Sequence, residues 1–420
     1  MSVELINTGT ELLLGRVLNT HQQWLCRQLA DLGYEVSRQT CVADQPRQIE
    51  AAVRESLARA RLVIVTGGLG PTSDDITRDL IAAMLGRELV CDHATLAHIE
   101  KFFSARHRAM PENVKVQAMI PAGARILANP NGTAPGLAIE ARPNPFDAAG
   151  RTALLILLPG PPRELRPMFT DSVIPLLARE FPPPETLVSV TLKTTGMGES
   201  MVEERIAGPL SALVQGRLEL GYCARIGEVE VRLSARGSEA AKTVQQAESI
   251  VRQRLGGIIF GMGDEIIESV VVRMLTERSR TLGLAESCTG GMAAHRLTNV
   301  PGASAVLKCG LVTYSNEAKR EFLGVTAATL EEHGAVSEVV ARQMAEGARR
   351  RCGTDYAISI TGIAGPSGGA EGKPVGTVFI ALADASGASA KKYFNPFDRE
   401  TFKYVTSQQA LDMLRNAMLK

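Results

Sequence analysis

The chain lacks any apolar stretch long enough to cross a bilayer. No apolar run is longer than that from Ala153 to Leu158, whereas a spanning helix needs about 20 apolar residues. It also lacks an excess of either charge: 46 Lys and Arg stand against 45 Asp and Glu, for a formal net charge of +1. That balance argues against the basic footprint of a nucleic-acid binder. Aromatics make up 4% of the chain, and Trp24 is the one tryptophan. None of the 7 cysteines (26, 41, 91, 223, 288, 309 and 352) forms a CxxC pair, which argues against structural zinc. No basic-then-apolar leader opens the segment Met1 to Asn7. With an odd cysteine count, the expectation is a cytoplasmic protein whose thiols are all free. Internal repeats and low-complexity segments are absent.

What is present is a chain of 420 residues with 45% apolar content, enough for two or three ordinary domains. Residues 1–170 alternate short apolar runs with helix-like stretches. Strands are expected at Val3–Asn7, Tyr34–Val42, Leu62–Thr66 and Ala153–Leu158, and helices at Asn19–Asp31, Pro46–Ala60 and Ser73–Leu85. Strand–helix alternation implies a parallel sheet covered on both faces. Pro182-Pro183-Pro184 marks a break. Residues 171–257 then read as a small α+β module, and residues 258–420 as a third, α/β unit.

The most specific signal lies in that last unit. Gly283-Leu284-Ala285-Glu286-Ser287-Cys288-Thr289-Gly290-Gly291 reads as a buried strand, a sharp turn and a helix start. A Ser at a helix N-terminus sits among backbone N–H groups able to hold an oxyanion. Tyr314 ends another strand candidate, with Lys319 one turn further on, and Thr361-Gly362 lies at the end of a third. Ligands of open α/β sheets bind beyond such strand ends. A Lys or Tyr beside Ser287 could take its proton, which suggests amide or ester cleavage without a metal. Ser is also a favoured helix cap, so no single residue carries this reading; their joint placement does. Cys288 is a rival nucleophile, but no His lies near it except His295, about two turns along the helix. Gly365-Pro366-Ser367-Gly368-Gly369 matches G-x-S-x-G, yet no helix is expected after it, so the match is fortuitous.

A second candidate site lies in the first unit. Gly67, Gly68 and Gly70, with Thr72, form a Gly-rich turn suited to phosphate. Asp74 and Asp75 follow at the expected helix start, where they could hold Mg²⁺ against phosphates or merely cap the helix. Asp44, Glu11 and Asn131 are further candidates. Neither a Walker A loop nor a G-x-G-x-x-G fingerprint is present there.

The motifs Ala-Glu-Ser-Cys-Thr-Gly-Gly, Val-Thr-Tyr-Ser-Asn-Glu-Ala-Lys, His-Gly-Ala-Val-Ser and Ile-Thr-Gly-Ile-Ala-Gly-Pro resemble the nicotinamide mononucleotide (NMN) deamidase domain. The N-terminal half resembles the molybdopterin-binding fold through Gly-Gly-x-Gly-Pro and Asp75-Ile76-Thr77. The whole chain thus resembles the CinA, or competence/damage-inducible, family. The resemblance implies three parts: a three-layer molybdopterin-binding-like domain, a KH-type linking module, and a three-layer α/β amidase domain. It implies NMN deamidation without a cofactor, by Ser287 with Lys319 or Tyr314 as base. Ser304, Thr361, Gly362 and Arg399 would bind substrate. For the first domain it implies divalent-metal-dependent cleavage of ADP-ribose, with Asp44, Asp74 and Asp75 as metal ligands. Nucleic acid and membrane are not expected partners. RNA-binding KH domains use a GXXG loop, and here there is only Gly196-Met197-Gly198, so a spacer or a homodimer contact is the expected role. Two other classes remain: a molybdenum-cofactor-type enzyme with a silent C-terminal domain, and a non-enzymatic competence or DNA-damage factor.

Overall fold

A computed structural model describes residues 2–183 and 185–419. Met1, Lys420 and Pro184 of the Pro182-Pro183-Pro184 break lie outside the described residues. The chain divides into two compact units, Met1–Val188 and Ser189–Lys420.

In the first unit, strands β1 (Ser2–Thr8), β2 (Glu35–Val42) and β3 (Leu62–Thr66) lead to the short β4 (Leu89–Cys91), β5 (Met119–Pro121) and β6 (Arg125–Leu127), then β7 (Gly136–Ala141) and β8 (Ala153–Leu158). Six of them form one sheet in the order β2-β1-β3-β8-β7-β6. Pairs β1–β2, β1–β3 and β3–β8 are parallel, and β7 and β6 close the edge antiparallel. Alternate residues of the apolar strands serve opposite faces. Val3, Leu5, Ile64 and Ile156 pack with Leu25 and Leu29 of the helix Thr20–Asp31. Ile6, Val63, Val65 and Leu157 pack with Ile49, Val53 and Leu57 of the helix Pro46–Arg59. Three layers result, as expected.

One helix starts later than expected. It spans Thr77–Met84 rather than Ser73–Leu85, which leaves Asp74 and Asp75 in the loop ahead of it. The local reason is a turn: the Asp75 carboxylate accepts the Thr72 N–H at 3.0 Å, and the Asp75 N–H donates to Thr72 O at 3.1 Å.

The second unit holds two sheets. Strands β9 (Leu187–Thr195), β10 (Glu219–Arg225), β11 (Glu228–Arg236) and β12 (Ile259–Met262) form a four-stranded sheet in the order β10-β11-β9-β12. The helices Glu199–Gln215 and Ala240–Leu255 accompany it. Strands β13 (Leu282–Glu286), β14 (Leu307–Val312), β15 (Tyr356–Gly362), β16 (Thr377–Asp384) and β17 (Gly387–Phe394) follow in the order β14-β13-β15-β16-β17. The first three of that row are parallel, and β16 and β17 are antiparallel additions. The helices Ile267–Glu277 and Arg399–Met418 cover one face of this sheet through Val271, Phe402 and Leu411. The helix Glu338–Cys352 covers the other through Val340, Met344 and Ala348.

The expectation of free thiols throughout is corrected at one place. Cys309 of β14 and Cys352, ending its helix, form a disulfide with Cα atoms 6.0 Å apart. Gly283 makes this possible: it pairs with Cys309 across the sheet, and a Cβ there would lie 3.2 Å from the Cys352 sulfur. Cys26, Cys41, Cys91, Cys223 and Cys288 are free. No helix among the described residues is long and apolar enough to cross a membrane.

Candidate active site

Beyond β13 the chain turns through Ser287–Gly291 before the helix Met292–Thr298 begins. Gly290 (φ 61°) and Gly291 (φ 93°) adopt the left-handed conformation this turn needs. Ser287 is therefore not at the helix N-terminus, and the helix N–H groups are not free for substrate. The buried Glu286 carboxylate takes them, accepting from Gly291 N, Ala293 N and Ala294 N at 3.1, 3.1 and 2.9 Å. Ser287 N donates to Ile360 O of β15 at 2.9 Å, which pins the turn to the sheet. Among the described residues, neither Cys288 N nor Thr289 N donates to a backbone carbonyl.

Lys319 enters this turn from the helix Asn316–Leu323, which Ser315 caps by accepting from Ala318 N. The side chain is 1% exposed. Its Nζ lies 3.0 Å from Ser287 Oγ, 2.9 Å from Thr313 O and 3.2 Å from Tyr314 O. Burial lowers its pKa below the ordinary lysine value of 10.5. A neutral amine has two N–H bonds and one lone pair. The two carbonyls satisfy the N–H bonds, which leaves the lone pair for the Ser287 hydroxyl. Cys288 is its opposite: burial, with Glu286 adding to it, pushes the thiol up to about 12. A thiol so protonated is a poor nucleophile at neutral pH.

The other expected residues divide. Tyr314 contributes its main-chain oxygen to Lys319, but its ring is 62% exposed and its hydroxyl accepts from Arg399 Nη2 at 3.0 Å. It does not orient or relay through Lys319 by its side chain. Arg399 also donates to Gly365 O at 2.7 Å, so Tyr314, Arg399 and the Gly365 loop form one rim. Thr361 is buried and donates to Ala335 O at 2.7 Å, tying β15 to the 334–337 turn. Gly362 is a packing requirement, because a Cβ there would meet Thr377 O at 2.8 Å. Ser304 is not brought to Ser287 within one chain. It sits exposed in the turn Ala303–Ala305 ahead of β14, whereas Ser287 follows the far end of the parallel partner β13. A strand of that length separates them by about 20 Å. Sequence reasoning missed Glu286 as a cap, and it missed Thr289 Oγ1 and Thr313 Oγ1, both buried without a hydrogen-bond partner among the described residues.

The Gly-rich turn of the first unit lines a cavity of about 400 Å³. Gly67, Gly68, Gly70, Glu11, Asp44, Asp74 and Asp75 share it with Gln117 and Glu164, two residues that sequence reasoning did not single out. Gly68 (φ 66°) must be glycine, since a Cβ would run into Thr77. Asp44 Oδ2 accepts from Thr10 N at 2.8 Å and Thr10 Oγ1 at 3.2 Å. Asp75 Oδ2 likewise serves Thr72, leaving the Oδ1 atom of each carboxylate without a hydrogen bond among the described residues. No three His, Cys, Asp or Glu side chains converge as a metal cage among the described residues. The oxygen donors that remain suit Mg²⁺, which uses one or two carboxylates and takes its other ligands from water and phosphate. Thr72 is exposed and turned toward Asp75, and Asn131 faces a separate hollow with Phe102 and Arg106.

Three family models match in succession: a probable molybdopterin binding domain over residues 4–179, the damage-inducible protein CinA KH domain over 189–261, and the CinA C-terminal domain over 264–418. A competence-damage inducible protein of Caldicellulosiruptor bescii is 44% identical over 422 residues, covering 100% of both chains. A CinA-like protein of Akkermansia muciniphila is 44% identical over 419 residues, 100% of this chain and 98% of its own. Among solved structures, the competence/damage inducible protein CihA of Agrobacterium tumefaciens is 40% identical. It covers 37% of this chain and 94% of its own, with a TM-score of 0.36. With full-length identity at this level and all three domain models in order, the chain belongs to the CinA family.

Proposed function

We propose that the C-terminal site hydrolyses the carboxamide of NMN to nicotinate mononucleotide and ammonia. The observation that carries this reading is the buried Lys319 amine, held by two carbonyls with its remaining position on Ser287 Oγ. Ser287 Oγ attacks the amide carbon and passes its proton to Lys319 Nζ, so Lys319 rather than Tyr314 is the base. The N–H groups of Cys288 and Thr289 receive the oxyanion. Lys319 returns the proton to the departing nitrogen and ammonia leaves. Water, deprotonated by the same amine, then cleaves the nicotinoyl ester and frees Ser287. Arg399 and Tyr314, exposed at the rim, take the ribose phosphate. No step of this deamidation requires a metal.

For the N-terminal site we propose hydrolysis of the ADP-ribose diphosphate to AMP and ribose 5-phosphate. Asp44 and Asp75 would hold a divalent cation, which when bound neutralises phosphate charge. The glycines allow the diphosphate to approach the backbone, and Glu11, Asp74 and Glu164 wall the cavity. The full chain, given NMN and ADP-ribose with and without chelator, tests both readings. Ammonia release should survive chelation and ADP-ribose cleavage should cease. Chelation that stops ammonia release would overturn the first reading. Undiminished ADP-ribose cleavage in chelator would overturn the second.

A further inference from the structure

Beside the Gly-rich cavity, three arginines face a second hollow. Arg106, Arg108 and Arg163 line about 490 Å³ together with Phe102 and Asn131. The first two follow the helix His93–Ser104. Between them His107 holds φ 52°, with its N–H donating to Ser104 O at 3.0 Å and Arg108 N donating to Phe103 O at 3.1 Å. This is a Schellman-type closure, at a position where glycine is usual. A left-handed non-glycine residue is uncommon, and such strain gathers at functional sites. Here the turn sets its two flanking arginines on one cavity.

Arg106 is held in place. Its guanidinium carbon lies 3.5 Å from the centroid of the Phe102 ring, and Nη1 donates to Phe102 O at 3.0 Å. Arg163 comes from the helix Pro162–Met168. Its contact with Glu164, at 3.8 Å, is the one ion pair the three arginines make among the described residues. The Asn131 side chain makes no hydrogen bond among the described residues and adds an amide to the same hollow. Three converging cations with so little counter-charge repel one another, and guanidinium forks match phosphate oxygens bidentately. The next residue after Arg163, Glu164, walls the Gly-rich cavity.

We propose that Arg106, Arg108 and Arg163 form a phosphate-binding subsite of the N-terminal unit, taking the phosphate of a nucleotide or sugar phosphate. The subsite stands whether or not that unit hydrolyses its ligand. Calorimetric titration of the full chain with inorganic phosphate, AMP and ribose 5-phosphate tests it. Saturable binding that weakens with added salt is expected. Arg108→Gln and Arg163→Gln should each weaken it about tenfold or more, with Arg108→Lys recovering part of the loss. Preference for AMP identifies a nucleotide ligand, and preference for ribose 5-phosphate a sugar phosphate; either supports the subsite. An unchanged thermal midpoint shows that the exposed substitutions leave the fold intact. Two results would overturn the proposal. One is no saturable binding of any of the three probes. The other is binding that Asp44→Asn abolishes and the arginine variants leave intact, which places the ligand in the Gly-rich cavity instead.

Discussion

Replacing Lys319 by Met separates its chemistry from its packing. The two side chains are similar in length, so the buried space stays filled. What is lost is the amine that touches Ser287 Oγ, Thr313 O and Tyr314 O. General-base removal costs about 10²- to 10⁴-fold in rate, so deamidation should fall at least a hundredfold. The two carbonyls losing their donor cost about 1–3 kcal/mol each, partly offset because an apolar side chain has no charge to desolvate. That is tolerable for a protein with about 5–15 kcal/mol in hand, so the variant should fold. The pH dependence carries a sign. The folded pKa of Lys319 lies below 10.5, so wild-type kcat/KM should rise with pH through that lowered value and level off above it. The unfolded chain binds the proton more tightly, so wild-type stability also rises with pH, from that lowered value up to the unfolded 10.5. The Met variant should show neither slope. Ammonia release from NMN between pH 6 and 10, with urea melts alongside, reads both. A Met variant keeping more than a tenth of wild-type activity, or a wild-type profile flat over that range, would refute the assignment.

Cys288→Ala should leave deamidation within about threefold in steady-state assays, because its thiol stays protonated and the proposed nucleophile is Ser287. Tyr314→Phe should raise KM for NMN by loosening Arg399, while the pH limb stays where Lys319 sets it. Arg296→Leu should cost about 3–5 kcal/mol in denaturant melts. It strips the buried Glu268 of a two-armed ion pair, with bonds of 2.9 Å on each side, and Ser407 of its donor. Asp44→Asn should lower chelator-sensitive ADP-ribose cleavage at least tenfold and leave NMN deamidation unchanged.

The legible part of the fold followed local pattern. Apolar runs such as Leu62–Thr66 and Ala153–Leu158 are central strands because both faces of their sheet are covered. The helix expected at Pro46–Ala60 forms over Pro46–Arg59. Ser287 and Lys319 could be paired in advance because parallel strand ends gather at one edge of the sheet. What could not be read depends on which partner a polar group finds. Glu286 sits inside a strand motif, and only the path of the following turn lets it cap the next helix. The Asp75–Thr72 bond delays a helix whose composition was favourable from Ser73 onward. Tyr314 lies one bond from a base contact, yet its ring turns outward to Arg399. Ser304 shares a motif neighbourhood with the site, but the direction of β14 carries it to the opposite end of the sheet. The Cys309–Cys352 bond spans 43 residues and depends on the missing side chain of Gly283. No spacing rule announces either.

The covalent step is the centre of the account, and Ser287 is where it must appear. Full-length protein mixed with NMN, quenched in acid within one turnover and digested for peptide mass analysis, reads it directly. A nicotinoyl ester on the peptide holding Ser287, absent from Ser287→Ala, is the predicted result. Release of ammonia by Ser287→Ala at the wild-type rate, or a nicotinoyl adduct on Cys288 instead, would contradict it.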